Sequence, residues 1–352
     1  MKIKKKILII RFSSFGDIVQ SMSALEVLKR KFPESEIHWV VRSDLASIVN
    51  LHPLIDRIWS FDRMDGIKGV IKLAFILKGI GFDYVYDAHA SIRSGIIMNV
   101  LCPFWKRIFS DCDNVIIRHK NRLKRLLLFY LHRNFFPRPF RGMHSYMSPL
   151  EKWGGRPVPN KSFSEWRFAG ETMRKIEEQI PECFGRENII TLVPSAAWDM
   201  KKWPLPYWKR LVSLLPEFNF LVLGGPNDLD LGEIEAVDEG RVKNLAGKLT
   251  LSESCAVISR SSFLISGDTG LLHVADFLKI SGLALIGPTA FGYTSGETIS
   301  TIEIELPCKP CTKDGSGSCS QSVYQKCMVD ISPEHVAEKV MRDFSSSSKA
   351  DC

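Results

Sequence analysis

The sequence predicts an α/β fold built from two doubly wound, mostly parallel sheets in tandem. Three observations carry this expectation. Short apolar runs alternate with stretches of helical periodicity along most of the 352 residues, the pattern of parallel strands joined by crossover helices. The alternation pauses at a Gly-, Pro- and Ser-rich stretch, "GGRPVPNKSFSEW" at 154–166, and then restarts. Polar residues and glycines collect in the turns that follow successive strands, where ligands of such sheets bind.

The first half opens with an apolar run at 7–12, followed by a helical pattern near 18–31. A strand over 36–42 precedes a short helix near 45–50, one over 57–61 a helix at 67–80, and one over 83–87 a helix near 92–101. In the second half, strands are expected at 188–193, 218–223, 242–245, 263–266 and 283–286. Helices are expected between them at 207–214, 229–237, 252–259 and 270–278. The resulting domains span 1–155 and 167–331, with a linker at 156–166, a Cys-rich loop at 308–327, a C-terminal helix over 332–344 and a tail at 345–352. The ligand site is expected between the two halves, at the carboxyl ends of the strands.

Composition is that of an ordinary globular protein, 45% apolar and 24% charged. The start, "MKIKKKILIIRF", imitates a secretory signal, but Arg11 interrupts the apolar run before it reaches the roughly 7–15 residues of an h-region. No stretch approaches the roughly 18 consecutive apolar residues of a membrane span, so a cytoplasmic protein is expected. The net charge of +8 is uneven: 117–142 holds eight Arg or Lys residues and no Asp or Glu. Within it Leu123, Leu126, Leu127, Tyr130 and Leu131 recur at helical spacing, giving a basic amphipathic helix. It reads either as a solvated face over a core stripe or as a surface for an anionic partner.

Several turns could carry chemistry. In "RFSSFGDIVQS", Ser13, Ser14 and Gly16 form a turn and Asp17 begins the next helix, as a cap or as a general base at the end of the first strand. In "PSAAWDMKKWP", Ser195 with Lys201 or Lys202 suits a phosphate, or the stretch is a solvated loop. "LGGPND" offers Asp228 to sugar hydroxyls, or simply makes a turn. In "SGDTGLLH", an Asp/Thr pair before a helical run signals an N-cap, and a helix N-terminus after Gly270 also suits an anion. No Gly-x-Gly-x-x-Gly follows a strand, and "GRVKNLAGKLT" only imitates a P-loop, because its glycines are wrongly spaced and Leu249 stands where Ser or Thr should be.

These stretches together resemble glycosyltransferase family 9, the ADP-heptose:lipopolysaccharide heptosyltransferases. The residues that carry the resemblance are "FSSFGDIVQSMSAL", "KKWP", "NLAGKLTLSESCAVI" and "ISGDTGLLHVADFL" followed by "IGPT". The resemblance implies two Rossmann-like domains in the GT-B arrangement, an inverting mechanism without an essential metal, and ADP-heptose as donor. Asp17 would be the base that deprotonates the acceptor hydroxyl. Lys201, Asp268, Thr269, Gly270 and His273 would bind the donor, with Ser195 and Asp228 of the neighbouring turns as further donor-side candidates. Ser13, Ser14, Gly16, His89, Arg93, Arg122, Lys124 and Arg125 would face an anionic lipopolysaccharide-core acceptor, with the protein peripheral on the inner face of the cytoplasmic membrane and no nucleic-acid partner. The chain departs from the common family pattern at Ser195-Ala196, at His89-Ala90 where Gln-Gly is frequent, and at Ala290 where aspartate is frequent.

Four of the nine cysteines, Cys308, Cys311, Cys319 and Cys327, could hold a structural zinc or remain reduced thiols. Cys102, Cys112, Cys183, Cys255 and Cys352 look incidental. Two other functions remain open on sequence: a transferase of the same fold using another sugar nucleotide, and a non-enzymatic, basic nucleic-acid-binding protein with a zinc-held loop.

Overall fold

The computed structural model describes residues 4–104, 112–185 and 188–347. Two compact units form: one comprises residues up to 121 together with 142–167, the other 122–141 and the residues from 168 onward.

The first unit holds a five-stranded parallel sheet in the order β3-β2-β1-β4-β5, with β1 at Lys6–Ile10, β2 at Glu36–Arg42, β3 at Arg57–Phe61, β4 at Tyr84–Asp87 and β5 at Val115–Ile117. Ile7 to Ile10 are completely buried, as expected of a central strand covered by helices on both faces. The expected helix at 18–31 is two segments, Phe15–Ser21 and Ser23–Lys31. Strand β5 has only three residues and carries no periodic signal that sequence reading could detect.

The second unit holds a six-stranded parallel sheet, β11-β10-β9-β6-β7-β8. Its strands are β6 (Ile189–Val193), β7 (Asn219–Val222), β8 (Val242–Asn244), β9 (Phe263–Gly267), β10 (Ser281–Ile286) and β11 (Ile299–Glu303). Counted from β6, this is the doubly wound dinucleotide-fold order, with the reversal of strand order between β6 and β9. Trp208, Leu211 and Val212 of helix Leu205–Leu214 pack with Phe220, Phe263 and Val340 in its core. The C-terminal helix runs over Pro333–Ser347, three residues past the expected end; Cys352 and the rest of the expected tail, 348–352, lie outside the described residues.

Two boundaries differ from the expected ones. The stretch read as a linker is packed onto the first unit, because Val158, Phe163 and Trp166 are buried and Ser164 hydrogen-bonds Glu26 through both its N–H and its hydroxyl. The basic segment 122–141 belongs with the second unit, where Phe129, Phe136 and Phe140 each meet the Phe291 ring edge-on. Aromatic contacts outweigh chain order there. Of helix Arg122–Leu131, Leu128 is the buried residue, whereas Leu123, Leu126, Tyr130 and Leu131 are exposed, so the expected core stripe faces solvent. Among the described residues no helix is long and apolar enough to cross a membrane.

Candidate active site

In each sheet the register brings together the turns that follow its two central strands. In the first unit Ile10 pairs with Asp87 across β1 and β4, so Arg11 leaves the sheet beside Ala88 and donates from Nη1 to its carbonyl at 3.0 Å. The turn Ser13-Ser14 then starts helix Phe15–Ser21 and places Asp17 in its first turn.

Asp17 is not a cap. Its Oδ2 lies 2.5 Å from Arg11 Nη2 and accepts from the Ser14 hydroxyl at 2.9 Å, while Oδ1 accepts from the Tyr146 hydroxyl at 2.8 Å. Burial would raise its pKa, but Arg11, the two hydroxyls and the charge of Arg118 outweigh burial and hold the carboxyl well below the usual carboxylate range. Asp17 is therefore ionised and oriented, with 42% of its side chain open to solvent.

Three cations surround it. Arg11 is buried; Arg118 is also buried, donating to the Ser145 carbonyl and hydroxyl with its guanidinium 3.9 Å from the centre of the Tyr146 ring. Lys120 is half-buried, and burial followed by the fields of Arg11 and Arg118 lowers its pKa. His89 belongs to the same cluster: its ring meets Phe12 edge-on, and burial, followed by Arg11 and Lys120, pushes it down to about 3. It is neutral, and among the described residues its buried Nδ1 has no hydrogen-bond partner. The turn that carries it is tied by Asp87, which accepts from the N–H groups of His89 and Ala90. Ala90 has φ of 48°, the left-handed region that glycine adopts most easily. Arg93 is exposed, its guanidinium 6.0 Å from the centre of the Phe61 ring.

Arg11, Arg118, Lys120 and Tyr146 were not singled out from sequence. Arg11, directly after an apolar strand, gave the available signal. Tyr146 reaches Asp17 from 129 residues away, and nothing local marks it.

In the second unit Val193 pairs with Ser266 across β6 and β9, which sets the turn containing Ser195 beside the "GDTG" turn. Thr269 is the N-cap of helix Gly270–Leu278, its hydroxyl accepting from the Leu272 N–H. With the cap supplied by Thr269, Asp268 is free for other work: its Oδ2 lies 3.3 Å from Lys201 Nζ and accepts from the Thr289 hydroxyl at 2.7 Å. Both charged side chains are largely buried, 12% and 15% exposed. The backbone crowds them closely, since a Cβ on Gly292 would lie 2.3 Å from Asp268 Cγ and one on Gly315 2.6 Å from Lys201 Cγ.

His273 is buried in the helix that Thr269 caps, near Asp276, whose carboxylate accepts from the Ser295 and Gly296 N–H groups. Ser195, Lys202 and Asp228 line a cavity of about 160 Å³ together with Trp203 and Gln325. Within it Asp228 closes the "GGPND" turn, accepting from the Gly225 N–H at 2.7 Å.

The expected acceptor residues Arg122, Lys124 and Arg125 are carried by the second unit, with Arg125 stacked 4.7 Å from the Phe291 ring centre. The zinc reading is not supported: among the described residues no group of three or more His, Cys, Asp or Glu side chains is placed to hold a metal. Burial, the largest influence, pushes the Cys327 thiol up to about 11.

Comparison with known proteins agrees with this arrangement. The model of glycosyltransferase family 9 (heptosyltransferase) matches residues 70–322, and the chain belongs to that family. It is a glycosyltransferase, and its two Rossmann-like units are those of the GT-B class. It is 23% identical over 331 residues to lipopolysaccharide heptosyltransferase 1 of Pseudomonas aeruginosa, covering 88% of this chain and 86% of the relative. Among solved structures it resembles a family 9 glycosyltransferase from Veillonella parvula, with a TM-score of 0.75 at 20% identity over 98% of this chain and 99% of that one. It also resembles the E. coli heptosyltransferase WaaC solved with ADP, with a TM-score of 0.65 at 17% identity over 96% and 99%. Family membership sets aside the reading as a non-enzymatic nucleic-acid-binding protein.

Proposed function

We propose that the protein transfers a heptose from ADP-heptose to an anionic lipopolysaccharide-core acceptor at the inner face of the cytoplasmic membrane, with inversion at the anomeric carbon. The observation that carries this reading is Asp17: an ionised carboxylate, fixed by Tyr146, Ser14 and Arg11 and set among cations, at the end of β1. The acceptor oxygen forms the new bond to the anomeric carbon as the bond to the diphosphate breaks. The hydroxyl proton passes to Asp17, and ADP departs with the electron pair. Lys201 and the N-terminal N–H groups of helix Gly270–Leu278 offset the charge that develops on the diphosphate, as preorganised donors do. Asp268, Thr269 and His273 line the donor sugar and phosphates, and Ser195 and Asp228 the adjoining cavity.

The cations around Asp17 have a double effect. They keep it ionised but weaken it as a base, since each opposite charge favours the anion. An acceptor carboxylate or phosphate that engages Lys120, Arg118 or Arg11 offsets that field and raises the basicity of Asp17 when substrate is present. Arg122 and Lys124, exposed on a helix of the second unit, carry positive charge suited to an anionic acceptor, and Ser13, Ser14, Gly16, His89 and Arg93 border the Asp17 turn or the strand ends beside it.

A thermal-shift panel of nucleoside diphosphates and their sugars tests the donor. Selective stabilisation by ADP and ADP-heptose is expected; a preference for UDP or GDP compounds would transfer the reading to another sugar nucleotide.

A further inference from the structure

The helix Gly66–Ile80 packs Val70, Leu73, Ala74 and Leu77 into the core of the first unit. A surface helix normally turns polar residues outward. Here the outer side is apolar as well: Ile67 and Phe75 are each 60% exposed, Ile71 40% and Ile76 45%, and Met64 just before the helix is 91% exposed. Ile67, Ile71 and Phe75 fall at i, i+4 and i+8, so they form one ridge along a helix about 22 Å long. The helix contains no Asp or Glu, and its Lys68, Lys72 and Lys78 are exposed. None of these lysines forms an ion pair among the described residues.

An apolar ridge flanked by cations, on a helix lacking acids, is the composition of a helix that lies in the plane of a bilayer interface. The isoleucines and phenylalanine reach the acyl boundary, while lysine stems run along apolar surface and bring their ammonium groups to anionic headgroups. We infer that helix Gly66–Ile80 is a membrane-docking face of the first unit, specific for an anionic lipid leaflet. The charge favours this occupant over a second copy of the chain, which would bring a further set of uncompensated lysines against the first. The inference deepens the reading of a lipid-linked acceptor and shares that premise; the apolar and lysine residues it rests on are distinct from the Asp17 and Lys201 sites.

The test is co-sedimentation of the full chain with phosphatidylglycerol-containing vesicles and with pure phosphatidylcholine vesicles. Each lysine near an anionic surface contributes roughly fivefold to partitioning. Lys68→Glu/Lys72→Glu is therefore expected to weaken binding to the anionic vesicles by about 25-fold or more, and Ile71→Glu/Phe75→Glu to abolish it, with circular dichroism and melting unchanged. Wild-type partitioning is expected to be much weaker on phosphatidylcholine. Unchanged binding by both variants, with loss in Arg122→Glu/Lys124→Glu alone, would overturn the inference. So would a wild-type dimer in sedimentation velocity that the Ile71/Phe75 variant dissolves without any vesicle binding. Transfer to a deacylated, water-soluble acceptor is measured in parallel. Absence of transfer in the wild type would refute the proposed function while leaving the vesicle result to decide the docking face on its own.

Discussion

The Lys201–Asp268 pair gives the sharpest quantitative expectation for the donor side. Its charged atoms are 3.3 Å apart and both side chains are largely buried. At an effective dielectric constant of about 20, such a pair attracts by roughly 5 kcal/mol before desolvation is subtracted. Breaking a buried pair by neutralising one partner costs about 3–5 kcal/mol. Asp268→Asn retains an acceptor for the Thr289 hydroxyl, so the lower end, about 3 kcal/mol, applies. For a unit of this size the melting temperature then falls by roughly 6–12 °C. On the proposed reading, the diphosphate of the donor also competes with Asp268 for Lys201, and in Asp268→Asn that competition is gone. ADP affinity measured by calorimetry is therefore expected to hold or rise, up to about tenfold, while transfer falls because the sugar loses its carboxylate. Lys201→Ala is expected to lose ADP affinity instead. An Asp268→Asn protein that loses ADP affinity as severely as Lys201→Ala would refute the reasoning, because it would show that Asp268 does not restrain Lys201 in the free enzyme.

Tyr146→Phe removes one of the hydrogen bonds that hold Asp17 in place, so kcat should fall by roughly 3–10-fold with donor affinity unchanged; a kcat equal to the parent's would detach Tyr146 from the base. His52 and His89 are both pushed down to about 3 by burial. Both stay neutral in the folded chain while their unfolded counterparts charge near pH 6.5, so stability falls as pH drops from about 6.5 toward 3, by about 2 kcal/mol for each histidine at pH 5. Chemical denaturation between pH 7 and 4 should show a shallower slope for His52→Asn than for the parent, and an equal slope would contradict the burial argument.

Much of the architecture was legible because buried parallel strands and their crossover helices have different periods. The strands around 7–12, 36–42 and 263–266 stand in the sheets where the apolar runs predicted them. Strands β5 and β11 were not anticipated: β5 is only three residues long, and β11 is a half-buried edge strand in a polar context. Segment 122–141 shows a different limit. Its helix was visible, but which unit it joins depends on Phe129, Phe136 and Phe140 meeting Phe291, a contact no local pattern encodes. The "SGDTGLLH" turn was legible as an N-cap, and the structure gives that role to Thr269 while Asp268 pairs with Lys201 and Thr289. Around Asp17 the sequence showed the carboxylate and its turn, and counted Arg118 and Lys120 only within the basic segment 117–142; that they and Tyr146 surround Asp17 depends on distant parts of the chain meeting.

The central claim is that Asp17 takes the acceptor proton. It is tested most directly by measuring turnover and ADP-heptose affinity side by side in Asp17→Asn. The account predicts turnover lower by a factor on the order of 10² to 10⁴ with donor affinity nearly unchanged. Turnover within a few-fold of the parent, or loss of donor binding in step with turnover, would contradict it.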